Sequence, residues 1–140
     1  FEKEVKDAFE FGSFNFAKET LAILDNLQRA KEAIKNDDAL KNNKDLDRFL
    51  ENISIIEKDL TSIFEKNRIV KIQAKGKKFD PNLHQAMTEI EDNESEIGTI
   101  IQEIQPGYMF GERLLRPALV GISKKNAPKN EEKKEKKEGK

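Results

Sequence analysis

The sequence predicts an α+β protein, with two helices in the first half and a small all-β region after them. Residues 1–75 hold no proline and one glycine, Gly12; all four prolines (Pro81, Pro106, Pro117, Pro128) and six of the seven glycines come later. Both residue types punctuate regular structure, so the first half reads as long helices and the second as turn-rich. The apolar residues follow helical spacing as far as Phe64 and shift toward alternation from Ile69. Charged residues make up 38% of the 140 residues against 36% apolar, which is heavily polar for a compact globule. A chain of this size and polarity struggles to close a core alone, and its periodic apolar face points to self-association rather than disorder.

Phe1 to Ile34 reads as one helix. Val5, Phe9, Phe16, Ile23, Leu27, Ala30 and Ile34 form its apolar stripe, widened from Phe16 onward by Ala17, Leu21 and Leu24. Such a helix is ~50 Å long, and that length usually means a coiled coil or bundle. Gly12 costs about 1 kcal/mol against alanine, tolerable in a packed assembly. Glu2–Lys6 and Asp25–Arg29 have the favoured i, i+4 order for the wet face. Residues 36–44 are a polar connection, and Asp45 is the expected N-cap of a second helix over 45–67. Its face carries Leu46, Phe49, Leu50, Ile53, Ile56, Leu60, Ile63 and Phe64, ending near Asn67. Two such chains would give a four-helix bundle; a monomeric hairpin leaves the Val5–Phe16 stripe wet. The expected dimer interface is therefore Val5, Phe9, Phe16, Leu21, Ile23, Leu24 and Leu27 with Phe49, Ile53, Ile56 and Leu60.

Residues 69–123 read as a compact β-domain. Ile69, Val70 and Ile72 make a short strand and Lys75-Gly76-Lys77 a turn. Asp80-Pro81 caps a brief helical turn holding His84, with proline at its favoured first position. Ile90 precedes a polar turn over Asp92–Glu96. A strand over Ile97–Ile104, a Pro106-Gly107 turn and a last strand over Leu114–Ile122 complete the unit. Residues 124–140 hold eight lysines, four glutamates and nothing that can pack, so they are expected to be a disordered, solubilising tail. The tail lacks aromatics for stacking on bases, so nucleic acid is not an expected partner.

The net charge of −1 gives no global steering toward nucleic acid or membrane. The absence of cysteine removes disulfides and thiolate metal sites, as suits a reducing cytosol. No stretch approaches the roughly 20 apolar residues of a membrane span. Phe1 is not a natural start, so an upstream segment is expected. His84 is the single histidine, which excludes a histidine triad or a multi-histidine metal site. A packed histidine with one hydrogen bond is expected there, and Asp80 is a cap before it is an acid. Glu89, Glu91, Asp92, Glu94 and Glu96 lack the spacing of a calcium loop and read as a solvated turn. No phosphate-cradling glycine loop is present, so the chain is not expected to hold nucleotide itself. No catalytic residue, metal or cofactor is expected.

Phe79-Asp80-Pro81-Asn82-Leu83-His84-Gln85-Ala86-Met87 resembles the first signature block of the GrpE family. Gly107-Tyr108, Gly111-Glu112, Leu115-Arg116, Ala118, Val120 and Ile122 are similar to the second block in order and spacing. Leu24-Asp25-Asn26-Leu27 with Arg29-Ala30 resembles the family's long-helix motif, so the likeness covers Phe1–Ser123. It implies a parallel homodimer of paired long helices with a central four-helix bundle and one β-domain per chain. It also implies the function of a co-chaperone: a nucleotide exchange factor that docks on the nucleotide-binding domain of a DnaK-type chaperone and opens its ADP site. Protein folding and the heat-shock response, a bacterial cytoplasmic location (with the mitochondrial matrix as alternative) and heat sensing by melting of the long helices go with that resemblance.

Two departures stand out. Arg68 occupies a position that is commonly glycine, where left-handed backbone or close approach is allowed. The family's basic stretch upstream of Phe1 is absent. The expected docking surface is the polar edge of Glu94, Ser95 and Ile97 with Met109 and Arg113, joined by Arg68 and Leu119; an exposed methionine beside arginine suits an interface. Gly107 and Gly111 read as turn and close-packing residues. Arg116 either anchors a buried carboxylate or reaches the partner. The competing functions are a dimeric coiled-coil adaptor with a protein-binding β-domain and an enzyme using the acidic cluster. No nucleophile or paired-acid spacing favours the enzyme.

Overall fold

The computed structural model describes residues 1–124 and contains two helices followed by six strands. They are α1 (Glu2–Lys35), α2 (Leu46–Lys66), β1 (Ile69–Lys71), β2 (His84–Glu91), β3 (Ile100–Gln105), β4 (Tyr108–Phe110), β5 (Arg113–Arg116) and β6 (Ala118–Lys124). The α+β class and the order of helices before strands are as the sequence predicts. No helix among the described residues is long and apolar enough to cross a membrane. The tail expected over 124–140 lies outside the described residues except for Lys124, which ends β6.

The chain divides into two compact units, and the division does not fall at residue 68. Phe1–Lys71 and Tyr108–Arg116 form the first; Ile72–Gly107 and the chain from Pro117 form the second. Two pieces of the expected β-domain thus belong with the helices.

In the first unit β4 is the central strand of an antiparallel sheet ordered β1-β4-β5. Ile69 faces Phe110 and Lys71 faces Tyr108, while Phe110 faces Arg113 across the hairpin. The core joins one stripe of α1 (Ala17, Leu21, Leu24) to Phe64 of α2, Ile69, Tyr108 and Leu115. Spacings of four and three put the α1 residues on one face, one above another. Phe64 and Tyr108 meet edge to face, their ring centres 6.4 Å apart. Lys31 of α1 lies 3.7 Å from Glu57 of α2.

Asp45 stands at the start of α2 but makes no side-chain cap. Its backbone is already close to helical, and its N–H instead donates to Asn43 Oδ1 at 2.9 Å. At the other end the chain leaves the helix through Asn67 and then Arg68, whose φ is +65°. The left-handed region costs a residue with a Cβ about 1–2 kcal/mol, which is why glycine usually closes a helix this way.

In the second unit β6 is central, parallel to β2 and antiparallel to β3. Its inward residues Ala118 and Val120 meet Ala74 and Ile100, with Phe79 and Ile122 packed around them. Asp80-Pro81 opens a single helical turn, as expected, which is not continued into a helix. The Asp80 carbonyl accepts from Leu83 N–H at 3.0 Å and His84 N–H at 2.8 Å, and its Oδ1 accepts from Asn82 N–H at 2.9 Å. His84 therefore opens strand β2 instead of lying within a turn.

Other strand assignments also change. The strand expected over Ile97–Ile104 starts at Ile100. The strand expected over Leu114–Ile122 is two strands in two sheets, separated by Pro117. Proline has no N–H to give a ladder, so strands break there. Strands β2 and β4 are additional. Most of β2 is exposed, so it lacks the alternation that marks a half-buried strand, and β4 is only three residues long.

Candidate functional site

The residues expected at a docking surface fall into two groups, one in each unit. In the first unit they sit on the β4–β5 hairpin and at the end of α2. Met109 on β4 is half-buried, while Arg113 on β5 is exposed and lies 3.6 Å from Glu10 of α1. Arg68 is exposed, and its carbonyl accepts from Gly111 N–H at 2.8 Å. Its guanidinium occupies the space over Gly111, 2.6 Å from where a Cβ would stand. Gly111 itself has φ +57°, so the turn joining β4 to β5 favours glycine for its backbone.

In the second unit the group is the loop between β2 and β3, with Leu119 half-buried on β6. Ile97 is 62% exposed, Glu94 is exposed and Ser95 is half-buried. Asp92 organises this loop: its Oδ1 accepts from Glu94 N–H at 2.8 Å and its Oδ2 from the Ser95 hydroxyl at 3.1 Å. Those donors, the Glu94 amide foremost, hold the Asp92 carboxyl below the usual aspartate range. Asp92 of the acidic cluster thus commits its carboxylate to the loop's own N–H and O–H groups. Among the described residues no group of three or more acidic or histidine side chains is placed to hold a metal.

Ser123 of β6 closes the other side of the same loop. It is 1% exposed, donates its hydroxyl to the Glu96 carbonyl and accepts from Thr99 N–H at 3.1 Å. Its backbone adds bonds with Gly98 N–H and the Thr99 carbonyl. Sequence reasoning missed this role, because a serine late in a strand carries no signal of its loop partner.

Most signature residues are structural. His84 is buried beside Phe79, and its Nδ1 accepts from Asp80 N–H at 2.9 Å. Tyr108 and Leu115 are core residues of the first unit; Ala118 and Val120 are core residues of the second, where Ile122 packs against them. A Cβ at Gly107 would run into the backbone of Ala118. Pro81, Ala86 and Met87 are exposed, and Met87 adds an apolar side chain to the surface. The alternative left open for Arg116 is decided: its guanidinium grips Asp25 through two bonds of 2.6 and 2.8 Å and lies 5.5 Å over the Tyr108 ring. Asp25 is therefore half-buried at this grip, not committed to Arg29 on the wet face. Leu21, Leu24 and Asp25 are spaced i, i+3, i+4, a signal that could have placed Asp25 on the rim of the buried stripe.

The expected dimer-interface residues divide as well. Leu21 and Leu24 are buried within the chain's own core. Val5, Phe9, Phe16 and Ile23 of α1 and Phe49 and Ile56 of α2 are exposed, Phe9 by 75% and Phe16 by 72%. Leu27, Ile53 and Leu60 are half-buried.

The family model described as GrpE matches residues 1–124, which takes in both units. Among similar curated proteins, Protein GrpE of Afipia carboxidovorans is 46% identical over 123 residues, covering 88% of this chain and 62% of the relative. Protein GrpE of Nitrobacter winogradskyi is 45% identical over 125 residues, covering 89% and 64%. That of Rhizorhabdus wittichii is 46% identical over 123 residues, covering 88% and 67%. The chain thus spans about three fifths of the length of the first two relatives. The family model matched over residues 1–124 and the identity above 40% to these relatives agree: this chain belongs to the GrpE family.

Proposed function

We propose that this chain is the dimerising and docking portion of a non-catalytic exchange factor that drives ADP from a DnaK-type chaperone in the bacterial cytoplasm. The family match through both units is the observation that carries this proposal. The structure supplies a means: a hairpin with an exposed arginine and a loop with an exposed isoleucine, each stiffened by its own hydrogen bonds, suit protein docking better than catalysis. Docking that prefers the open chaperone must weaken ADP by the factor by which ADP weakens docking. A coupling of a few kcal/mol accelerates release on the order of a hundredfold if expressed in the off-rate. Stopped-flow release of fluorescent ADP from the chaperone of the same source, with and without this protein, is the test. An unchanged rate would sink the proposal, and binding without faster release would leave an adaptor.

The active species in this proposal is a homodimer. Three exposed phenylalanines on α1 (Phe9, Phe11, Phe16), with Val5, Ile23 and Phe1 just before the helix, are more apolar surface than one lone helix usually shows to water. Sedimentation at micromolar concentration is expected to give twice the chain mass, and Phe9→Glu with Phe16→Glu to lower it toward one. A single-chain mass for the unsubstituted protein would end the dimer proposal.

A further inference from the structure

Arg68 is the only non-glycine residue with positive φ among the described residues. Strained backbone of this kind persists where something else requires the side chain, and such positions gather at binding sites. What the left-handed backbone does is set the Arg68 guanidinium over the β4–β5 turn. Its Nη2, Cζ and Nε are the atoms nearest Gly111's missing Cβ, at 2.6, 3.1 and 3.5 Å, so the planar group is laid across the β4–β5 turn. It forms one wall of a cleft of about 250 Å³ shared with Glu10, Phe14, Phe110, Glu112 and Arg113. Arg113 pairs with Glu10, whereas Arg68 has no ion pair among the described residues.

We propose that Arg68 is a specificity residue that receives an acidic side chain of the docked chaperone in this cleft. This rests on the exchange-factor proposal for the partner's identity. Arginine's fixed fork matches a carboxylate through two parallel bonds, and the aromatic walls of Phe14 and Phe110 reduce screening of the pair. A glycine here would relax the backbone but supply no charge, so the substitution trades local strain for recognition.

The full chain is titrated into the nucleotide-binding domain of the DnaK-type chaperone of the same source, over a range of salt. Arg68→Gln is expected to bind roughly 5–20-fold more weakly and with a shallower salt dependence, and Arg68→Lys to recover part of the loss. Arg68→Gly is expected to melt no lower than the unsubstituted chain and still bind weakly, separating recognition from folding. Equal affinity of Arg68→Gly and the unsubstituted chain at low salt would overturn the inference while leaving the exchange-factor proposal intact. Failure of the unsubstituted chain to bind would overturn both.

Discussion

The guanidinium of Arg116 is largely out of water, and both of its forks are matched by Asp25 while its face rests on Tyr108. Removing one partner of such a pair leaves the other desolvated and alone, so the loss exceeds what the pair contributes net. Arg116→Ala is expected to lower unfolding stability by roughly 2–3 kcal/mol in a urea melt, and Arg116→Lys by less, since one ammonium cannot reproduce the fork. A double-mutant cycle with Asp25→Asn should show coupling; additive losses would mean the two residues do not act together. Ser123 is a second such residue. Ser123→Ala leaves the Glu96–Thr99 backbone short of a donor and an acceptor, at a cost of roughly 1–3 kcal/mol read as faster amide exchange at Thr99. Asp92 titrates the same loop. Its carboxyl is held below the usual range in the folded state, so its contribution is present above the unfolded value, about 4, and is lost as pH falls through the folded one. Amide protection at Glu94 should therefore drop on acidification below about pH 4, and that dependence should vanish in Asp92→Asn.

Among the elements, β6 has the least freedom. It lies between β2 and β3, with Ala118 and Val120 buried on its inward face and Gly121 buried on the other. Two glycines test how tightly this is built. At Gly107 an added Cβ meets backbone atoms of Pro117 and Ala118, which cannot step aside. At Gly121 it meets Ile90 Cδ1 at 2.8 Å and Thr88 Cγ2 at 3.1 Å, side-chain methyls with more room to give. Gly107→Ala is expected to cost about 3 kcal/mol and Gly121→Ala about 1 kcal/mol, compared by thermal melts. Equal costs would show that the second sheet yields as readily at its backbone as at its side chains. The helices follow a different logic, since α1 fully buries only Ala17, Leu21 and Leu24 and carries Val5, Phe9, Phe11, Phe16 and Ile23 outward.

For the whole molecule, this outward apolar surface is what connects stability to assembly. A chain whose long helix buries so little of its own stripe should gain stability with concentration, because association removes apolar area from water. The helical melting midpoint is expected to rise by several degrees between 1 and 100 μM, followed by far-ultraviolet circular dichroism. A midpoint independent of concentration would oppose a dimer. The location of the docking candidates on short, internally bonded hairpins and loops also fits a protein that presses on a partner without changing shape itself.

The two helices, their ends near Ile34 and Asn67, and the turn-rich second half were legible from residue order alone, because helical period and proline placement are local properties. The same holds for the packed His84, whereas the positive φ at Arg68 was suggested only by the resemblance to a family that commonly has glycine there. The folding together of Ile69–Lys71 and Tyr108–Arg116 with the helices was not legible, nor were the grip of Arg116 on Asp25 and the tie of Ser123 to the 96–99 loop. Each of these joins residues far apart along the chain, and a short exposed strand or a single polar side chain carries no local mark of its distant partner. Long-range pairing is chosen by which surfaces can be buried together, and only the folded arrangement decides that.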